Sequence, residues 1–278
     1  MKVISYEKVV EAVKRGYIEA CLKLPEEVKE ALREAYLKEE DLLAQAVLEV
    51  LIENAEIAER EGIPLCQDTG IPVVWVRKGE EVKVKDLEKA INEGLELACK
   101  EGYLRASVCE PLSRKNTKTN TPAVIHYEML EGEVFELWIM PKGCGSENMS
   151  QVAMLSPSQG WKGVKEFVIE TVKRAGPNPC PPLIIGVGIG GTLEKCASLA
   201  KKALFRKLGS FHFDKEIEKL EKELWMEVNA LGIGPLGWGG RTTALAVHLE
   251  LYPCHIASLP VAVNFQCHSA RKVCLKLL

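Results

Sequence analysis

Apolar positions recur at helical spacing through the start of the chain. Tyr6 to about Leu22 places Val9, Val10, Ala12 and Val13 on one face, and a second helix opens near Pro25, a favoured first-turn residue. A third helix runs from about Glu40 to Glu61, with Leu42, Leu43, Ala46, Val47, Val50, Leu51 and Ala55 along one side, and Gly62 ends it. The period then changes. Ile71 to Arg77 is strand-like, and Asp86 to Lys100 returns to helix with Asp86 as the expected cap. Ala123 to Leu130 and Val134 to Met140 alternate as strands around Glu131-Gly132-Glu133, which predicts a hairpin.

Further on, the pattern predicts a helix from about Val164 to Arg174, then a short apolar strand from Leu183 to Val187 that ends in glycines. Helices follow over roughly Leu193 to Lys207 and Phe213 to Leu231. The glycine-rich segment from Gly232 to Gly240 interrupts them, and strands over Thr242 to Leu251 and Leu259 to Phe265 close the chain. The expected fold class is α+β: one domain over residues 1–278, with a helical N-terminal lobe (1–61) packed with a mixed β-sheet region in an α/β part (62–278). No fixed-period repeat or low-complexity linker interrupts it.

Composition changes this picture little. Hydrophobic content of 47% and charge of 27% are those of a globular protein, and a net charge of −3 gives no footprint for nucleic acid or membrane. The N-terminus has no long apolar run, so we expect neither a signal peptide nor a span, and a cytoplasmic location. In such a compartment the ten cysteines stay reduced, which points to metal, catalysis or plain burial rather than a disulfide framework. Burial is the expectation for Cys21, Cys99, Cys196 and Cys274, which lie in or beside amphipathic runs.

Three cysteines have a different setting. Cys66 lies in Pro64-Leu65-Cys66-Gln67-Asp68-Thr69-Gly70, Cys180 in Pro179-Cys180-Pro181-Pro182, and Cys267 in Gln266-Cys267-His268-Ser269. Proline, glycine and polar neighbours put each thiol on a loop or an element end, where it can reach a ligand. Their wide separation excludes compact zinc-finger and ferredoxin arrangements but enforces no geometry. Asp68, beside Cys66, is an acid/base candidate and equally the start of an Asx-type turn. His255, on a proline-bounded loop one strand before Cys267, is expected to share a cleft with it. Arg105 would clamp a carboxylate if it faced a cleft. The polar run Asn116-Thr117-Lys118-Thr119-Asn120 suits a recognition loop, and Gly143-Cys144-Gly145-Ser146 suits a nest of backbone donors. Gly186-Val187-Gly188-Ile189-Gly190-Gly191 has the outline of a dinucleotide fingerprint, but no acidic strand end follows, which leaves an NAD-dependent oxidoreductase as the remoter reading.

Taken in order, these segments resemble the iron–sulfur (class I) fumarate hydratase family, in the two-subunit form shared with L-tartrate dehydratase. The motifs that carry the resemblance are Cys66-Gln67-Asp68-Thr69-Gly70, Asn116 to Asn120, Lys142-Gly143-Cys144-Gly145-Ser146-Glu147-Asn148, Cys180-Pro181-Pro182 with Gly190-Gly191-Thr192, and Cys254-His255-Ile256-Ala257-Ser258-Leu259-Pro260 leading to Cys267. The resemblance implies an alpha subunit of a hydro-lyase interconverting fumarate and L-malate, with L-tartrate dehydration as the alternative. It implies a [4Fe–4S] cluster on Cys66, Cys180 and Cys267 with one iron open. It also implies substrate contacts at Gln67, Asp68, Arg105, Gly145 and His255, with Asp68 and His255 handling protons. A separate beta subunit would supply the proton-abstracting base, making the enzyme a hetero-oligomer acting on a small dicarboxylate. A non-catalytic iron–sulfur sensor is a further alternative.

Overall fold

A computed structural model describes all residues, 1–278. In chain order the elements are β1 (Lys2–Ile4), α1 (Tyr6–Leu22), α2 (Glu26–Lys38), α3 (Leu42–Glu61), β2 (Ile71–Gly79), β3 (Val82–Val84), α4 (Leu87–Glu101), β4 (Val124–Leu130), β5 (Phe135–Lys142) and α5 (Cys144–Glu147). They continue with β6 (Gln151–Leu155), α6 (Gly160–Ala175), β7 (Leu183–Gly190), α7 (Leu193–Ala203), α8 (Lys215–Asn229), β8 (Ala244–Tyr252), β9 (Leu259–Gln266) and β10 (Val273–Lys276). The fold is α+β with mixed sheets. No helix is long and apolar enough to cross a membrane. The chain divides into two compact units: Met1–Pro25 with Ala55–Cys144 and Arg271–Leu278, and Glu26–Asn54 with Gly145–Ala270.

The first unit is built on a sheet of order β10-β5-β2-β4, with β1 and β3 paired separately. Helices α1 and α4 pack on each other, and α1 also packs on β5. The apolar stripe of α1 (Val9, Val10, Val13, Tyr17 and Cys21) joins Ile91 and Leu95 of α4 and Phe135, Leu137 and Ile139 of β5 in one core. Ser5 caps α1 by accepting from the Lys8 N–H. At α4 the expected cap is absent. Asp86 takes a left-handed backbone conformation and its side chain bonds nothing at the helix start.

The hairpin expected around Gly132 is not formed. β2 lies between β4 and β5, parallel to the first and antiparallel to the second. The Glu131–Glu133 turn therefore bridges over the end of β2, where Gly79 donates to Val134 O and a Cβ at residue 79 would lie 2.0 Å from Gly132 O. Periodicity marks a strand but not its neighbour, and the central strand came from earlier in the chain. Cys274, expected in the core, is exposed because β10 is an edge strand.

The second unit has a sheet of order β6-β9-β7-β8. β7 is buried along its whole length, parallel to β8 and antiparallel to β9. It runs through the glycines rather than stopping before them. The reason is close approach: a Cβ at Gly186 would sit 2.1 Å from Ala200 O, and one at Gly188 2.0 Å from Cys196 O. The glycines form a groove for the α7 backbone. This overturns the dinucleotide-loop reading, since the motif is strand and its glycines are taken by packing. Residues of α6, α8, β8 and β9 share the unit's core.

Candidate active site

In the first unit the Cys66 loop follows α3. It is held by Leu65 N–H donating to Cys21 O at 3.0 Å and Ile63 N–H donating to Ala58 O at 3.0 Å. The Asp68 N–H points at Cys66 Sγ, 3.4 Å away, a donor suited to a thiolate. Asp68 is fastened at three atoms. Its Oδ1 accepts from Gly70 N–H at 3.0 Å, its Oδ2 from Cys144 N–H at 2.8 Å, and its carbonyl oxygen from Arg271 Nη2 at 2.7 Å. The Asx-type turn therefore exists, and the carboxylate keeps one orientation.

A fully buried amide ties this loop to the next. Asn120 donates from Nδ2 to Gly70 O and to the Tyr17 hydroxyl oxygen, while its Oδ1 accepts from the Ser107 and Val108 N–H groups. Tyr17 O–H donates to Thr69 O at 3.0 Å, and Thr69 Oγ1 donates to Arg105 O. The loop carrying Cys66, Gln67 and Asp68 and the segment carrying Arg105 are thus one hydrogen-bonded assembly. Gln67 and Arg105 are exposed upon it. Most of the polarity read as a recognition loop is spent internally: Asn116 Nδ2 donates to Ala106 O, Thr117 Oγ1 to Val108 O, and Thr119 pairs with Thr121.

In the second unit Cys180 and Cys267 lie at one end of the sheet. Cys180 lies just before β7, separated from it by Pro181 and Pro182, and Cys267 immediately follows β9. Their loops are joined by His268 N–H donating to Cys180 O at 3.1 Å. Cys180 is exposed with φ 57, and Cys267 is half-buried. Gly145 is also at this end: a Cβ there would find only Asn178 O, at an ordinary 3.6 Å. Glu147 accepts from Lys201 Nζ and from Asn264 Nδ2, which anchors α5 to β9. The expected nest of donors is instead this single helical turn, whose first N–H is taken by Asp68.

His255 is at the other end. The expectation that it shares a cleft with Cys267 fails within this unit, because β9 separates them and its eight residues extend about 23 Å. His255 lines a cavity of about 490 Å³ with Thr192, Lys195, Tyr252 and Cys254.

The remaining buried cysteines behave as packing groups. Burial pushes the Cys21 thiol up to about 12 and the Cys99 thiol up to about 11, so both stay protonated. Cys66, Cys180 and Cys267 differ in being reachable from solvent. Three soft thiol donors on loops with fixed backbones suit iron–sulfur chemistry, so the donor set fits a cluster, although neither unit by itself gathers three metal-ligating side chains.

A model of the family described as fumarate hydratase (Fumerase) matches residues 10–276. The chain belongs to that family. Among relatives of this fumarate hydratase family chain, a Methanocaldococcus jannaschii protein, provisionally named L(+)-tartrate dehydratase subunit alpha, is 47% identical over 95% of this chain and 96% of its own. The L(+)-tartrate dehydratase alpha subunits of Escherichia coli strains UTI89 and K12 are each 29% identical, over 97% and 95% of this chain and 91% and 89% of theirs. Hydratase and dehydratase name the two directions of one reaction class, and this family member is a hydro-lyase chain.

Two basic groups of the first unit had no role assigned from the sequence: Lys142, named only as the head of a motif, and Arg271. Lys142 and Arg271 are almost wholly buried cations in the first unit. Lys142 carried a faint signal, a charge at the end of a strand whose preceding residues are buried. Arg271 carried none, because only the folded chain puts it against Asp68.

Proposed function

We propose that this chain is the alpha subunit of an iron–sulfur L-tartrate dehydratase, acting with a separate beta subunit. Near-full-length similarity to proteins bearing that name carries the reading. It favours the tartrate alternative over the fumarate–malate one expected first. Both substrates are four-carbon dicarboxylates with a leaving hydroxyl, so the same groups serve either.

Cys66, Cys180 and Cys267 are the proposed ligands of a [4Fe–4S] cluster. When bound, it would supply a Lewis-acid site for the substrate's hydroxyl. The protein's own residues do the rest. Arg105 presents an exposed guanidinium that forks onto a carboxylate, fixing the substrate's orientation before reaction. Gln67, exposed on the same hydrogen-bonded assembly, offers both a donor and an acceptor. Asp68, locked by two backbone N–H groups, keeps an oxygen lone pair in a constant direction and holds or passes a proton there. Gly145 leaves space for close approach of a ligand to the backbone. His255 cannot reach the Cys267 end of its own sheet, so we assign its ring to the site of a neighbouring copy, where it holds a proton at a ring nitrogen. The base that removes the carbon-bound proton comes from the beta subunit.

Anaerobic co-purification with the beta subunit tests the reading. We expect kcat/KM for L-tartrate to exceed that for L-malate, because a site built to bond the extra hydroxyl discriminates strongly against its absence. A preference for malate restores the fumarate hydratase reading. Full turnover in an iron-free Cys180→Ala enzyme would end both.

A further inference from the structure

Two full cations are enclosed in the first unit, both at the junction that holds Asp68. Lys142 is 0% exposed and Arg271 1%. Arg271 Nη2 donates to Asp68 O at 2.7 Å, and Lys142 Nζ donates to Gly143 O at 3.1 Å. Gly143 precedes Cys144, whose N–H binds Asp68 Oδ2. Gly143, Asp68 and Arg271 crowd one point: a Cβ built on Gly143 would lie 3.3 Å from Asp68 Oδ2 and 3.7 Å from Arg271 Nη2. The two cations therefore grip the main chain on both sides of a single joint, two residues from Cys66.

Taking a guanidinium and an ammonium out of water is expensive, and a packed apolar pair would hold the loop at lower cost. The groups beside Arg271 on α1 are Tyr17 and Cys21, and burial holds both well above their ordinary pKa, so both stay neutral while its charge pulls the other way. A guanidinium cannot shed its proton to relieve the strain. Its field therefore persists in a low-dielectric setting directly behind the Cys66–Asp68 loop.

We propose that Arg271, with Lys142, is a positioning residue for the anionic contents of this site. It fixes the Asp68 carbonyl, and so the direction of the Cys66 and Asp68 side chains. It also lends positive potential to a place meant for thiolate-bound metal and a dicarboxylate. The inference rests on the cluster reading above.

The test uses the αβ complex with its cluster reconstituted, in the wild type and in Arg271→Gln, Arg271→Lys and Lys142→Met. The readouts are cluster content by absorbance and iron analysis, and the cluster's midpoint potential by a redox titration followed by electron paramagnetic resonance. Removing a nearby positive charge makes reduction harder. The potential should therefore fall in Arg271→Gln and in the near-isosteric Lys142→Met, and return toward the wild-type value in Arg271→Lys. A purely structural role would move melting temperature and leave the potential of folded, loaded enzyme alone. Cluster-loaded charge-removing variants at the wild-type potential overturn the inference and leave the function intact. If Arg271→Gln does not fold, Lys142→Met alone decides. A wild-type complex that takes up no cluster overturns both.

Discussion

At the scale of single residues, the candidate site separates glycines and cysteines that pack from those proposed to serve a ligand. Gly145 has room for a side chain, since an added Cβ meets only Asn178 O at contact distance, and it sits in a helical turn where alanine is the better former. Gly145→Ala should therefore leave the melting temperature within a degree or two and raise KM for the dicarboxylate. An unchanged KM removes Gly145 from the site. Cys21 gives the opposite kind of test. Its folded pKa of about 12 lies above the ordinary value of 9.0, so the folded state holds the proton more tightly than the unfolded one. The stability this confers is complete below pH 9 and is lost as pH rises toward 12. Cluster-free protein should melt at lower temperature across that window, and Cys21→Ala should flatten the decline. A slope identical in the variant would place the alkaline sensitivity elsewhere.

Elements show what a one-dimensional pattern can and cannot hold. α1 and α3 were legible because Val9, Val13 and Ala55 repeat at helical spacing, and β2 and β9 because their runs are apolar and bounded by turn residues. The hairpin around Gly132 was misread because strand order depends on β2, more than fifty residues earlier in sequence, slotting between the two strands. The glycines of β7 admitted two readings for a related reason, since a glycine chosen for an α7 carbonyl looks, in sequence, like one chosen for a phosphate; close packing is the one the fold bears out. That packing is open to direct test. Gly188→Ala drives a methyl into Cys196 O and should cost roughly 1–3 kcal/mol in urea unfolding, the usual range for overpacking. A neutral result would mean α7 lifts off β7 without penalty. The proposed site could be named from sequence only where its loops carry chemistry on their face, as in Cys66-Gln67-Asp68. Asn120 and Arg271 act by reaching across the fold, to Gly70 and to Asp68, and nothing beside them in sequence says so.

At the scale of the whole molecule, the chain carries the proposed ligand loops, an exposed arginine and buried positive charge, while the base for carbon-bound protons is assigned to the beta subunit. We therefore expect the isolated chain to bind iron in anaerobic reconstitution yet to turn over substrate only when the beta subunit is added. Turnover by the chain alone would move the base into it. The opposed ends of β9 carry a separate consequence. If each site draws Cys267 from one copy and His255 from another, the two defects Cys267→Ala and His255→Ala fall on different sites when the variants are mixed. Co-expressed, they should assemble some sites with both residues intact, and activity should reappear in a mixture of two chains that are each inert. The distance that disqualifies His255 within one copy would then make the enzyme's competence a shared property of the assembly, with damage to one copy repairable by its neighbour.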